Sequence, residues 1–372
     1  MKKTILICSN YAWTIVNFRL SLINEFKKNG YRVEVITQYD GHESSLEKLV
    51  DKIHPLYISR KGLNPIVDFI TFLNLLCCFI KVKPSIYLPF TIKPVIYGSL
   101  VAKILNIHTI ATITGLGTAF IRNTWVTKLV KKLYLFSLKS VAVVFFQNTS
   151  DRNMFIGQSL LKSDQAYLIP GSGIDTSKFS VYKTSGQVSN QVIFILIARL
   201  LWDKGIGEYV SAARKIKIHY PEFKFQLLGP LGVENRTSIS KGDVEKWHAE
   251  GVIEYLGEAR DVRPFISNAS CVALPSYREG LSRVLLEASA MSKPIIATDV
   301  PGCREVVDDK VTGFLCKVKN VDDLAEKMVS FISLSNAEKI EMGAKGREKV
   351  ALEFSIEKVC RKYLKMIDSL HL

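Results

Sequence analysis

The sequence lacks the features that mark several classes of protein. It has no apolar run of about 20 residues, the length needed to cross a bilayer; the longest, 66–80, is interrupted by Asp68, Thr71 and Asn74. Its 7 cysteines have no paired metal-ligand spacing, and several lie in apolar runs, which indicates reduced core thiols. The apolar run near the start ends too early for a signal peptide. We therefore expect a cytosolic protein in which 66–80 is a buried or interfacial helix.

Acidic side chains are scarce in the first half of the chain. The 372 residues include 50 Lys and Arg and 35 Asp and Glu, for a net charge of +15. Residues 1–180 hold 22 basic and 10 acidic side chains, a net charge of +12, whereas the remainder carries +3. This asymmetry predicts that the first half meets a polyanion. By charge alone, nucleic acid, an anionic membrane and a phosphorylated substrate all fit.

Short β-branched runs alternate with helical patterns, which predicts two parallel, doubly wound α/β sheets in series. The predicted strands are 4–8, 32–37, 55–59, 85–88, 109–114, 141–146 and 166–169, then 192–198, 224–228, 253–256, 271–274, 294–298 and 314–316. The predicted helices are 17–29, 94–105, 125–138, 205–219, 261–267, 282–290 and 322–333. A polar stretch rich in Gly and Ser predicts a linker at 176–190 between a first domain, 1–175, and a second, 191–354. Two such domains would form a cleft between them.

The segment 276–287 follows an apolar strand and opens a helix. Backbone N–H groups of Gly280, Leu281 and Ser282 at such a helix start would bind phosphate. Glu279 and Glu287 lie before and inside the helix, where carboxylates could accept hydrogen bonds from the hydroxyls at both ends of a nucleotide-sugar. The alternative is that these two glutamates are an ordinary loop charge and a solvated helix residue.

A second pattern lies directly after the first strand of the second domain. Arg199 and Lys204 flank a strand-to-helix turn, where two cations can neutralise a diphosphate leaving group without a metal. Taken alone, such cations are usually solvated. Together with Glu279 and Glu287, at a matching strand end of the same domain, they favour a nucleotide-sugar site.

This combination resembles the nucleotide-sugar half of the retaining glycosyltransferases of family 4, which have the GT-B fold of two Rossmann-like domains facing across a cleft. The resemblance covers roughly residues 190–320 and includes the turn 297–302. It implies that Arg199 and Lys204 bind the diphosphate, Glu279 the donor-sugar hydroxyls and Glu287 the ribose. It also implies that segment 257–260, with Arg260, lies near the base and that a C-terminal helix within 355–372 crosses back onto the first domain. The family needs no divalent metal, no Asp-x-Asp pair stands in a suitable turn, and we expect neither a metal nor another cofactor.

The first half is similar to bacterial members that build O-antigen and related surface glycans on a polyprenyl diphosphate, through segments 9–19, 89–98 and 112–120. That subgroup includes enzymes that add N-acetylgalactosamine in α-1,3 linkage to an undecaprenyl-diphosphate-linked sugar. The similarity makes Arg19 and Lys93 candidates for the acceptor diphosphate, unless they are ordinary surface cations. Thr114 stands where many members have a histidine, and it is a third candidate for the acceptor side. The donor-side candidates of this half are the backbone groups of Gly115 and Gly117, whereas His108 starts its strand and is expected to be structural.

The expected reaction is therefore retaining transfer of a sugar from a UDP-sugar to a lipid-linked acceptor. No carboxylate is an obvious nucleophile, which favours front-face transfer, with the departing phosphate taking the acceptor's proton. A UDP-sugar 2-epimerase is an alternative, although an epimerase has no need for a net charge of +12 on the first half of the chain. A basic membrane-binding or nucleic-acid-binding scaffold is another, which leaves the glutamates unexplained.

A lipid-linked acceptor also implies where the protein works. We expect it on the cytoplasmic face of the inner membrane, bound to anionic lipid and not to nucleic acid. Helix 125–138 is the predicted contact, because Lys128, Lys131, Lys132 and Lys139 alternate there with large apolar residues. The alternative is that this helix packs on the sheet with its lysines in water.

Overall fold

The computed structural model describes residues 2–59, 64–116, 125–180, 191–232, 235 and 237–370. The chain forms two compact units. One comprises Met1–Gly173 with Ile356–Leu372, and the other Ile174–Ser355. Each unit is an α/β layer structure around its own parallel sheet.

Within the described residues the first unit has a seven-stranded parallel sheet of order β3-β2-β1-β4-β5-β6-β7. Its strands are β1 Thr4–Ser9, β2 Arg32–Thr37, β3 Lys52–Pro55, β4 Ile86–Pro89, β5 His108–Ile113, β6 Val143–Phe146 and β7 Ala166–Leu168. The helices are α1 Ala12–Phe18, α2 Leu20–Lys28, α3 Glu43–Glu47, α4 Pro65–Val82, α5 Ser99–Ile104, α6 Trp125–Leu138, α7 Thr149–Gly157 and the C-terminal α14 Ile356–Asp368. The central strands are almost continuously apolar, because helices cover both faces of a parallel sheet.

The second unit has a six-stranded parallel sheet of order β10-β9-β8-β11-β12-β13 over the residues described. Its strands are β8 Ile193–Ile197, β9 Lys224–Leu228, β10 Glu254–Tyr255, β11 Cys271–Leu274, β12 Ile295–Thr298 and β13 Gly313–Cys316. The helices are α8 Ile206–Lys217, α9 Lys241–Ala249, α10 Arg263–Asn268, α11 Arg283–Ala290, α12 Val321–Ser333 and α13 Asn336–Glu353. The neighbouring strands β8, β11 and β12 form the centre of this sheet, and their carboxyl ends lie at one edge.

Several predicted elements differ from the structure. The helix predicted at 17–29 is two helices, α1 and α2, that meet at Arg19. The strand predicted at 55–59 lies at Lys52–Pro55, a short segment of mixed polarity at the sheet edge that carries little sequence signal. The helix predicted at 94–105 begins with a π-helical turn, Pro94–Gly98, before α5.

Helix α13 is absent from the sequence prediction. It buries only Met342, Gly343, Gly346 and Val350. Two of these are glycines, so the apolar periodicity is weak. A Cβ at Gly343 would come within 2.0 Å of the carbonyl oxygen of Ser292. The helix is held by close backbone approach, which a hydrophobic pattern does not reveal.

The linker predicted at 176–190 begins inside the second unit. Phe179 belongs to the core of that unit, and Arg347 on α13 donates to the carbonyl oxygens of Thr176 at 3.1 Å and Phe179 at 3.0 Å. The prediction is therefore wrong for residues 176–179, and residues 181–190 lie outside the described part of the chain. The predicted C-terminal helix is α14, whose buried Tyr363 pairs its hydroxyl with that of Thr112 on β5 at 2.5 Å.

Candidate active site

Three turns meet at the carboxyl edge of the second sheet, one after each of the central strands. The turn after β8 contains Arg199 and Lys204, the turn after β11 contains Glu279, and the turn after β12 ends at Gly302. Since β8, β11 and β12 are hydrogen-bonded neighbours, turns that are far apart in sequence become adjacent in space.

Two glycines allow this close approach. Gly205 has a φ of +72°, and a Cβ there would lie 2.0 Å from the carbonyl oxygen of Pro275. Gly302 has a φ of +86°, and a Cβ there would lie 2.5 Å from the Cβ of Glu279. Any side chain at either position would push the turns apart.

The centre of the site is an ion pair between the first two turns. The Nζ of Lys204 lies 2.5 Å from Oε1 of Glu279, and the Oγ of Ser276 donates to the same oxygen at 2.7 Å. The two charged side chains are only 20% and 13% exposed. Oε1 is thus engaged, which orients the carboxylate, while the ammonium has three N–H donors and uses one on Glu279. This arrangement can accept from a sugar hydroxyl and donate to a phosphate.

Arg199 completes the positive side of this edge. It follows β8 and its side chain is exposed. An exposed guanidinium on the turn that contains Lys204 presents planar donors that match phosphate oxygens in pairs. The structure therefore keeps both predicted diphosphate cations on one turn.

Glu287 is not the solvated helix residue of the alternative interpretation. It lies one helical turn after Arg283 on α11, and the Nε of Arg283 donates to its Oε1 at 2.8 Å. The carboxylate side chain is only 14% exposed. Burial raises the pKa of Glu287, and the charge of Arg283 opposes that rise. A buried carboxylate with one bound oxygen is well suited to accept from a diol.

The other predicted donor-side residues differ in what the structure supports. The N–H of Ser282 donates to the carbonyl oxygen of Gly302 at 2.9 Å, so the prediction that it is free for phosphate is wrong. Gly280 and Leu281 are partly exposed between Glu279 and α11. Arg260 is exposed in the loop after β10, the edge strand of the sheet, and its place near a base stays a prediction.

In the first unit, polar residues follow the neighbouring strands β1, β4 and β5. Thr91 has a φ of +71°, and its hydroxyl donates to Oδ1 of Asn10 at 2.9 Å. Thr114 and Gly115 follow β5, and Gly115 has a φ of +127°. Thr114 therefore lies at a carboxyl strand end, whereas His108 is at the opposite, amino end of β5. Gly117 lies outside the described residues.

Arg19 and Lys93, the predicted acceptor cations, both have partners within the first unit. Arg19 is 5% exposed, and its guanidinium lies 4.0 Å from the ring centroid of Phe90. The Nζ of Lys93 lies 2.7 Å from Oδ1 of Asp68, and the two side chains are 14% and 8% exposed. These contacts favour a structural role for both cations, and their acceptor role stays a prediction.

Two family models match the chain, one in each unit. The family model described as Glycosyl transferases group 1 matches residues 181–349, and the model described as Glycosyl transferase 4-like matches residues 4–148. The chain is 30% identical to the N,N'-diacetylbacillosaminyl-diphospho-undecaprenol alpha-1,3-N-acetylgalactosaminyltransferase of Campylobacter jejuni, over 97% of each chain.

The chain belongs to the group 1 glycosyltransferases.

Two further likenesses extend over most of this glycosyltransferase. It is 24% identical to the capsular polysaccharide biosynthesis glycosyltransferase CapM of Staphylococcus aureus, over 90% of this chain and 88% of that one. An Anabaena protein solved in complex with UDP superposes with a TM-score of 0.79 at 16% identity, covering 99% of this chain and 100% of that one. At that identity the superposition shows the GT-B fold alone.

Sequence reasoning missed two side chains of the glycosyltransferase that hold its site. Ser276 hydrogen-bonds Glu279, and Arg283 pairs with Glu287. The pairing of Arg283 with Glu287 was predictable from the sequence, since charges of opposite sign four residues apart on a helix lie on the same face. The contact of Ser276 with Glu279 was not predictable, because only the path of the turn brings the Ser276 hydroxyl to the carboxylate.

Proposed function

We propose that this glycosyltransferase moves a sugar from a UDP-sugar to a polyprenyl-diphosphate-linked acceptor, with retention of the anomeric configuration. The observation that carries the proposal is the pairing of Lys204 with Glu279, at the edge where three strand ends meet and on a turn that also contains Arg199. Its Campylobacter relative is named for a diphospho-undecaprenol substrate, and others are named for capsular and colanic acid biosynthesis. We therefore place the reaction in bacterial surface polysaccharide synthesis, with N-acetylgalactosamine in α-1,3 linkage as the first choice.

In the proposed reaction, the bond between the anomeric carbon and the β-phosphate oxygen breaks, and the acceptor hydroxyl oxygen forms a new bond to that carbon from the same face. The proton of that hydroxyl passes to the departing phosphate. Arg199 and Lys204 stabilise the negative charge that grows on the phosphate, which is the interaction that strengthens in the transition state. Two cations can supply this stabilisation without a divalent metal.

The remaining site residues bind and orient. Glu279 accepts from donor-sugar hydroxyls, Glu287 accepts from the ribose hydroxyls, and the backbone at Gly280 and Leu281 supports the phosphates. Of the first-unit candidates, Thr114 and Gly115 have the more favourable placement, since both follow a carboxyl strand end.

The direct test is a panel of radiolabelled UDP-sugars, each with and without lipid-linked acceptors. We expect one UDP-sugar to label the lipid fraction and to depend on the acceptor. An epimerised UDP-sugar formed without any acceptor would instead favour the epimerase. Absence of tight UDP binding at moderate salt would favour a non-enzymatic scaffold.

We also propose that the protein acts on the cytoplasmic face of the inner membrane. The support is the net charge of +12 on residues 1–180 and the exposure of Lys128 and Lys132 on α6. Each cation near an anionic surface contributes about 1 kcal/mol, screened over about 8 Å at physiological salt. Changing Lys128, Lys131 and Lys132 together to Glu should weaken vesicle binding and lipid-acceptor turnover while UDP affinity stays unchanged. Equal sedimentation of the triple variant and wild type would remove α6 from the membrane contact.

A further inference from the structure

Helix α4 has an apolar outer face. Its exposed side chains recur at helical spacing along its length: Ile66, Phe69, Ile70, Leu73, Cys77 and Ile80. Among the described residues α4 is the one helix long and apolar enough to cross a membrane, yet only 28% of its residues are buried. A helix of a soluble protein normally turns its apolar stripe toward the core and its polar residues outward.

Helix α6 continues this apolar surface. Trp125 is 71% exposed and Phe136 is 62% exposed, and Leu129 lies on the same face between them. An open groove of about 350 Å³ separates the two helices. It is lined by apolar side chains of both, with Leu100 of α5: Pro65, Phe69, Phe72, Leu129 and Leu133.

The polar groups of the groove are already paired. Asp68 accepts from Lys93 at 2.7 Å and from the hydroxyl of Tyr97 at 2.9 Å. Burial raises the pKa of Tyr97, so its hydroxyl stays protonated and continues to donate. A hydrocarbon chain could therefore enter without stripping water from an unpaired charge, which is the main cost of covering polar surface.

Charge determines which partner this surface fits. Asp68 is the one acidic residue in 65–82 and 125–139, and it is neutralised internally by Lys93. The same segments carry five lysines: Lys81, Lys128, Lys131, Lys132 and Lys139. A second copy of the chain would bring lysine against lysine, whereas an anionic bilayer offers both opposite charge and an apolar layer.

We propose that the outer faces of α4 and α6, with the groove between them, insert into the interfacial layer of an anionic lipid bilayer. Helix α4 lies in the membrane plane with its apolar stripe among the lipid chains, and a lipid chain occupies the groove. The lysines contact the phosphates of the headgroups. This inference rests on the proposed function and deepens its membrane part, because it adds the apolar stripe of α4 and the groove to the contact proposed for α6.

The test compares the full chain with two matched triple variants in vesicle sedimentation. The vesicles contain equal parts of phosphatidylcholine and phosphatidylglycerol. The first variant changes Ile66, Ile70 and Leu73 to Ser. The control changes Ile218, Ile340 and Leu352 of the second unit, which are at least as exposed, to Ser. All six positions are on the surface, so thermal unfolding should match wild type and confirm folding.

We expect the α4 variant to bind these vesicles at least about tenfold more weakly, since three apolar side chains no longer leave water. The control should bind like wild type. Wild type should retain part of its binding at high salt, where screening removes the lysine contribution. Unchanged binding by the α4 variant, or equal loss by both variants, would overturn the proposal. So would a wild-type dimer that the α4 variant dissociates without any change in vesicle binding.

Sugar transfer separates this inference from the proposed function. The assay uses a lipid-linked acceptor in the same vesicles and a water-soluble analogue of the acceptor. The α4 variant should lose turnover only with the lipid-linked acceptor. Vesicle binding through α4 without any sugar transfer would refute the proposed function but support membrane insertion of α4. Full transfer to the lipid acceptor by the α4 variant would refute membrane insertion of α4 but support the proposed function.

Discussion

Replacing Glu279 by Ala tests the centre of the site. The change removes the carboxylate that accepts from Lys204 and Ser276 and that we assign to the donor-sugar hydroxyls. It leaves Arg199 and Glu287, the groups assigned to the diphosphate and the ribose. The prediction is therefore a large loss of turnover with little loss of UDP affinity.

The expected size follows from the contacts. A hydrogen bond to a charged group contributes about 1.5–3 kcal/mol. Two such bonds to sugar hydroxyls in the transition state, at about 1.5 kcal/mol each, correspond to roughly a 150-fold fall in kcat. UDP loses no contact, and Lys204 loses its anionic partner, so the Kd for UDP should stay within about threefold of wild type or tighten.

The assay pairs turnover at saturating donor with calorimetry of UDP. The Glu279→Gln variant keeps the shape of the side chain and loses its charge. The Ser276→Ala variant keeps the charge of Glu279 and loses only the hydrogen bond that orients it, so its kcat should fall by about tenfold or less. Glu245→Ala, at an exposed position on α9, is the matched control and should leave both measurements unchanged. A Glu279→Ala protein that lost UDP binding and kept sugar transfer would refute the assignment.

Three further outcomes follow from the same site. Arg199→Ala or Lys204→Ala should each lower kcat by at least about tenfold, because each removes a charge-assisted contact to the leaving phosphate; an unchanged kcat would place the diphosphate elsewhere. Activity should survive EDTA, and a complete loss that Mg²⁺ reverses would contradict stabilisation by the two cations alone. UDP affinity should weaken as pH falls, because burial raises the pKa of Glu287 above its ordinary 4.5 and the carboxylate therefore protonates earlier than an exposed one would. In calorimetry from neutral to mildly acidic pH, Glu287→Gln should bind more weakly but approach wild type as pH falls; the UDP phosphate, with a pKa near 6, titrates in both. A constant ratio of the two affinities would contradict the role of Glu287.

Much of the fold was predictable because local pattern and tertiary environment agree. The bounds of α6 and of β2, β9 and β11 match the predicted segments to the residue. Runs of β-branched and aliphatic residues predict buried parallel strands wherever helices cover both faces of the sheet. Helix α13 was missed, because close backbone approach positions it and its hydrophobic periodicity is weak. Strand β3 was displaced, because pairing at the sheet edge positions it and its sequence signal is small.

Local sequence pattern was enough to predict a nucleotide-sugar site in the second unit. Arg199, Lys204 and Glu279 follow strand ends and Glu287 lies inside α11, and this combination predicted a diphosphate and sugar site. The tertiary structure was needed to show that Lys204 pairs with Glu279 and that the N–H of Ser282 donates to the carbonyl oxygen of Gly302, whereas the pairing of Glu287 with Arg283 follows from their spacing on α11. The physical reason is that the order of strands in the sheet, and two glycines that let the turns touch, bring together atoms more than 70 residues apart in sequence. The tertiary structure also showed that the apolar stripe of α4 faces outward, because periodicity defines an apolar face of a helix but not whether that face packs on the core.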